Sequence, residues 1–149
     1  LGLSRSQMSE EFDRQRSFGW LINVVANFAS KTFDAELKKR GLSIALWPTL
    51  MCLWEEEGVT QREIAKKSKV ENSTTTRTLD KLENLGLVER QADPQSRRSF
   101  RIYLTEKGRA LREELIPIPI GINKSILSAL EPHERDEIVR LLQKLVDEV

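Results

Sequence analysis

With 149 residues the chain has room for one domain, or one small domain with helical extensions, because domains cluster near about 100–150 residues; two independent enzymatic domains are excluded. A composition of 39% hydrophobic and 32% charged residues describes a globular protein rather than a disordered or fibrous one. The net charge of +1 gives no global electrostatic case for nucleic acid, and one cysteine (Cys52) with one histidine (His133) permits neither an internal disulfide nor a transition-metal cluster.

No run approaches the roughly 18 apolar residues of a membrane span, and the first dozen residues lack the apolar centre of a secretory signal. The expectation is a cytoplasmic protein without metal or cofactor. Charge is unevenly distributed. Between Thr60 and Arg101 ten basic residues face six acidic ones, so positive charge concentrates in the middle third.

From Glu10 to Lys39 apolar residues recur three or four apart (Phe12, Phe18, Leu21, Ile22, Val25, Phe28, Phe33), which predicts a long amphipathic helix ending at Gly41. Ser43 is placed to cap a second helix through Glu57, and Pro48 requires that helix to start late or to bend. After Gly58, Thr60-Gln61-Arg62-Glu63 has the form of a capping box opening a short third helix to about Ser68. A tight turn at Lys69-Val70-Glu71 leads into a fourth helix, Asn72 to Leu85, stopped by Gly86. Leu87–Gln91 and Ser99–Leu104 read as two strands joined by the turn Ala92–Arg97, a hairpin with a basic tip. Thr105 caps a fifth helix, broken within Ile116–Gly121, and Pro132 opens a last one. The fold class is mainly α with a small β-hairpin wing. Neither a repeat nor a low-complexity tract interrupts this pattern.

On a helical wheel the fourth helix sets Thr75, Leu79 and Leu82 on one side and Ser73, Arg77, Asp80 and Asn84 on the other, with Thr76 and Lys81 flanking. Hydroxyls and cations on the outer face of the second helix of a helix-turn-helix are the groups that enter a major groove. An ordinary solvated face has the same composition, and the hairpin shifts the balance. Arg97 and Arg98 at a projecting tip suit the narrow, electronegative minor groove alongside.

The motifs Thr60-Gln61-Arg62-Glu63-Ile64-Ala65, Ser73-Thr74-Thr75-Thr76-Arg77, Asp80-Lys81-Leu82-Glu83, Gly86-Leu87-Val88-Glu89-Arg90 and Leu104-Thr105-Glu106-Lys107-Gly108 together resemble the MarR family of winged helix-turn-helix transcriptional regulators. The resemblance is dense from about Leu42 to Leu111. It implies a winged helix-turn-helix lobe over 42–108 and dimerisation helices over 10–40 and 109–149. It further implies a homodimeric repressor of a pseudo-palindromic double-stranded DNA operator, released by a small molecule or an oxidant. By matching positions Ser73, Thr74, Thr76 and Arg77 face DNA and Arg97 is the wing arginine; Lys81 and Arg98 join them from the wheel and the tip. Two positions depart from the family pattern. Ser96 stands where an aspartate usually precedes the wing arginine, and Thr75 stands where valine is common.

Effector residues are less sharply marked. Trp20, Asn23 and Asn27 on the first helix and Trp47 and Met51 on the second offer aromatic walls and amides suited to an aromatic acid or phenol, and equally suit a packed core. Cys52 lies in an apolar stretch and reads either as an oxidant sensor or as a buried, inert thiol. No phosphate loop or nucleophile elbow supports an enzyme. The remaining rival, a winged helix that binds only protein, would be expected to offer apolar anchors where this chain has hydroxyls and cations.

Overall fold

Helix boundaries follow the backbone chemistry of proline, glycine and hydroxyl caps. The computed structural model describes residues 12–149. Helix α1 spans Phe18–Lys38, preceded by a 3-10 turn at Arg14–Arg16 in which Asp13 accepts a hydrogen bond from the Gln15 amide. Of the α-helix expected over Glu10 to Lys39, the described part runs from Phe18, the Asp13 cap setting a tighter turn ahead of it; Glu10 itself lies outside the described residues.

The second helix starts late. Helix α2 is Trp47–Glu55, with Pro48 in its first turn, where the missing amide costs nothing. Ser43 precedes a 3-10 turn (Ile44–Leu46) without a side-chain capping bond; the Asp34 carboxylate instead accepts the Ile44 amide at 2.9 Å. Helix α3, Gln61–Ser68, opens with the full capping box of Thr60 and Glu63. Helix α4 is Asn72–Asn84. Helices α5 (Glu106–Leu115) and α6 (Pro117–Leu127) are separated at Ile116, so the expected break falls one residue before the first proline. Helix α7 is Pro132–Glu148.

The sheet has three strands where the sequence suggested two. Strands β1 (Val59–Thr60), β2 (Val88–Asp93) and β3 (Ser96–Leu104) are antiparallel in the order β1-β3-β2. Gly58, at φ +76°, turns the chain after α2 and donates its amide to the Ile102 carbonyl at 2.8 Å, laying Val59 against Ile102 and Thr60 against Arg101. A strand of two residues carries no periodicity and is invisible to pattern reading.

The chain divides into two units, one of residues through Phe33 with Gly121–Val149, the other Asp34–Ile120. The second unit, hereafter the lobe, holds a core of Leu37, Leu50, Leu53, Ile64, Leu79, Leu82, Leu87, Ile102 and Leu115, each almost fully buried. Among the described residues of the first unit only Phe33 is buried, and no helix there or in the lobe is long and apolar enough to cross a membrane.

Candidate nucleic-acid interface

Between α3 and α4 the chain reverses through Lys69, which takes a left-handed conformation (φ 59°) at the end of α3. The Gln61 amide then ties the two helices together. Its Nε2 donates to the Asn72 carbonyl and to Asn72 Oδ1, each at 3.3 Å, and makes a short contact with the Thr76 hydroxyl. Thr75, Thr78, Leu79 and Leu82 bury the inner side of α4, and the Thr75 hydroxyl is satisfied by the Glu71 carbonyl at 3.1 Å. Ser73, Thr76, Arg77 and Lys81 are exposed, as the wheel expected, and so is Thr74. Thr76 differs from the others in that its hydroxyl donates to the Asn72 carbonyl at 3.1 Å and also meets Gln61, so it serves the turn as well as the surface.

Four of the six carboxylates in this segment, all but Glu71 and Glu89, are turned to structural use. Arg90, on β2, reaches Asp80 at 2.8 Å and Glu83 at 3.3 Å on α4; Arg101, on β3, reaches Asp93 at 3.3 Å; Glu63 closes the capping box. Arg62, Lys66, Arg77, Lys81, Arg97 and Arg98 make no ion pair among the described residues, and all six are exposed. A near-neutral chain thus presents an uncompensated positive face. Gln61, Asn72, Arg62, Lys66 and Arg90 were not among the candidate site residues read from the sequence. Their signal was position: Gln61 follows the capping Thr60, and Arg90 closes the Gly86–Arg90 motif.

The wing tip differs from the expected turn. Asp93 pairs with Ser96 around Pro94-Gln95, while Ala92 pairs with Phe100, so Arg97, Arg98 and Ser99 fall in a bulge on β3 with no partner on β2. The arginines project because the ladder is interrupted, not because they occupy the turn. Asp93 accepts the Gln95 amide at 3.0 Å and the Arg101 guanidinium, which hold its carboxyl below the usual aspartate range.

The base of the wing is locked separately. Glu57 accepts the Leu104 amide at 2.8 Å and the Arg109 guanidinium at 2.9 and 3.0 Å, and Trp54 Nε1 donates to the Gly108 carbonyl at 3.0 Å. Thr105 caps α5 through the Gly108 amide and donates to the Gly86 carbonyl.

The candidate effector residues are distributed over both units. Trp20, Asn23 and Asn27 are exposed on α1, with the Arg14 guanidinium 4.5 Å from the centre of the Trp20 ring. Trp47 is buried in the lobe, edge-on to Trp54 at 5.4 Å, and Met51 is exposed. A cavity of about 300 Å³ in the lobe is lined by Cys52, Glu56, Val59, Glu63, Ile64 and Lys67, none of them among those five. Cys52 is buried, and burial raises its thiol above the ordinary value, the state of an inert cysteine rather than of a reactive thiolate.

The MarR family model matches residues 42–100, from after α1 to within β3. The transcriptional regulator BilQ of Clostridium symbiosum is 29% identical over 131 residues, covering 88% of this chain and 91% of the relative. A MarR transcriptional regulator of Methanosarcina mazei superposes with a TM-score of 0.82 at 28% identity, over 87% of this chain and 94% of that one. Over residues 42–100 the chain is similar to the MarR family. BpsR of Bordetella bronchiseptica, described as regulated in DNA binding by 6-hydroxynicotinic acid, superposes with a TM-score of 0.83 at 26% identity over 91% of this chain and 97% of its own. The chain thus has the winged-helix fold of proteins that are named as transcriptional regulators. The motifs behind the resemblance fall on these elements: Thr60 to Ala65 makes the capped start of α3, Ser73, Thr74, Thr76 and Arg77 lie on the exposed side of α4 with Thr75 buried between them, and Leu104 to Gly108 joins the wing to α5.

Proposed function

We propose that the chain acts as a homodimeric repressor of a pseudo-palindromic operator, with α4 in the major groove and the wing in the flanking minor groove. The observation that carries this reading is the set of unpaired cations on α3, α4 and the wing, beside carboxylates already consumed inside the lobe. Ser73, Thr74 and Arg77 read base edges, Thr76 and Lys81 flank them, and Arg97 with Arg98 enters the minor groove. Repression is relieved by an aromatic acid or phenol, a reading supported by the description of BpsR. Trp20, Asn23, Asn27, Trp47 and Met51 are the residues assigned to it. Dimerisation is supported by the first unit, whose exposed apolar side chains find no core within one chain.

The test is a fluorescence-anisotropy titration against duplexes from upstream of the chain's own gene and against a randomised duplex pool, at two salt concentrations. The expected result is one dimer per site with a steep salt slope and selection of an inverted repeat whose half-sites lie about 34–36 Å apart. Recovery of no sequence preference from the pool would refute it.

A further inference from the structure

The wing contains a mechanical problem. The bulge at Arg97, Arg98 and Ser99 interrupts the β2–β3 ladder between Ala92–Phe100 and Asp93–Ser96, leaving the distal turn attached to the sheet through a single residue pair. Ladder hydrogen bonds therefore do not fix the direction in which Arg97 points. Ser96, beside it, supplies only a long hydroxyl contact from the Arg98 amide at 3.4 Å and no charge.

We infer that Arg101 is the positioning residue of the wing, spanning the bulge from its firm side to its loose side. Its Nε donates to Asp93 Oδ1 at 3.3 Å, and the same oxygen receives the Gln95 amide of the distal turn at 3.0 Å. Its other prong donates to the Gly58 carbonyl at 2.7 Å, on the turn between α2 and β1. The Gly58 amide in turn donates a hydrogen bond to the Ile102 carbonyl and the Tyr103 ring lies against Gly58, so the tie ends on backbone already joined to the sheet. Asp93, with a side chain only 7% exposed, is screened little from its partner. The guanidinium fork holds two acceptors in two directions at once, which an ammonium does not do. Arg101 thereby holds the distal turn, and with it Arg97, from within β3.

This inference rests on the reading of Arg97 as a minor-groove contact, and a double-mutant cycle separates the two. Affinities of wild type, Arg97→Ala, Arg101→Gln and the double variant are measured by anisotropy on the duplex selected from the randomised pool, with folding checked by circular dichroism. The expected result is a loss of roughly tenfold for each single variant and no further loss in the double one, because Arg101 acts through Arg97. Arg101→Lys should fall between wild type and Arg101→Gln, and the salt slope of Arg101→Gln should stay within that of Arg97→Ala. Losses that multiply, or no loss in Arg101→Gln, would overturn the positioning role while leaving Arg97 in place. No loss in Arg97→Ala would remove the minor-groove reading and the inference with it. If Arg101→Gln fails to fold, Asp93→Asn cuts the same tie from the other end and is judged by the same cycle.

Discussion

At the scale of single residues, the difference between Thr76 and Arg77 shows how neighbours on one exposed face separate by chemistry. The Thr76 hydroxyl is engaged by Gln61 and the Asn72 carbonyl, whereas the Arg77 guanidinium has no ion-pair partner among the described residues. Arg77→Ala should therefore cost about 1–3 kcal/mol of operator affinity and relax preference at one base pair, read by anisotropy on matched and single-substituted duplexes. Equal loss on every sequence would make Arg77 a phosphate contact. Gly108 is constrained by space instead of charge. A Cβ there would lie 2.1 Å from the Leu87 carbonyl oxygen, in backbone that cannot swing aside. Gly108→Ala should destabilise the chain by at least about 3 kcal/mol in denaturant melts, although alanine is normally the better helix former by about 1 kcal/mol. The requirement for glycine beside a capping threonine is thus steric, and the sequence alone offers no way to distinguish it from a helix breaker.

At the scale of elements, the wing is held at its base by Glu57, which joins the end of α2 to β3 and α5. The Arg109 guanidinium and the Leu104 amide hold the Glu57 carboxyl below its ordinary range. A carboxyl depressed in the folded state contributes stability that is complete above the ordinary glutamate value, near pH 4.5, and is lost as pH falls through the lower folded value. Wild type should lose more melting temperature than Glu57→Gln between pH 7 and pH 3.5, a comparison that subtracts the other paired carboxylates common to both. Parallel loss in the two proteins would show that Glu57 contributes nothing to acid sensitivity. Helix starts were legible because their signals are local: the Thr60–Glu63 capping box, Pro132 in a first turn, Thr105 ahead of α5. The sheet was less so, because its third strand depends on a glycine turn and a pairing 43 residues away along the chain at Val59 and Ile102. The bulge was equally hidden, since alternation of Phe100, Ile102 and Leu104 fixes the inner end of β3 but says nothing of register beyond Phe100. The outer face of α4 could be read residue by residue; what each hydroxyl and carboxylate was already bound to could not.

At the scale of the whole molecule, the decisive contrast is between a lobe with its own core and a first unit that buries, among its described residues, Phe33 alone. On α1, Leu21, Val24, Val25 and Phe28 are each more than 40% exposed, and on α7 Leu141, Leu145 and Val146 are likewise. Scattered apolar residues are ordinary on a surface, but two amphipathic helices left uncovered at both ends of one chain exceed what an isolated soluble domain tolerates. The proposed second copy of the chain would supply the missing surface without adding a new sequence, and its twofold axis would match an inverted repeat in DNA. The double variant Val25→Glu/Leu145→Glu should then sediment as a monomer at micromolar concentration, where wild type sediments as a dimer. Each monomer keeps an intact lobe and engages a half-site alone, so affinity for the full site should fall by about 10²–10⁴, the loss of effective concentration when two linked sites become separate. Stoichiometry should change with it, from one dimer to two independently bound monomers. A wild-type chain that sediments as a monomer and still binds an inverted repeat without cooperativity would refute the dimer and would leave the apolar faces of α1 and α7 to a different partner.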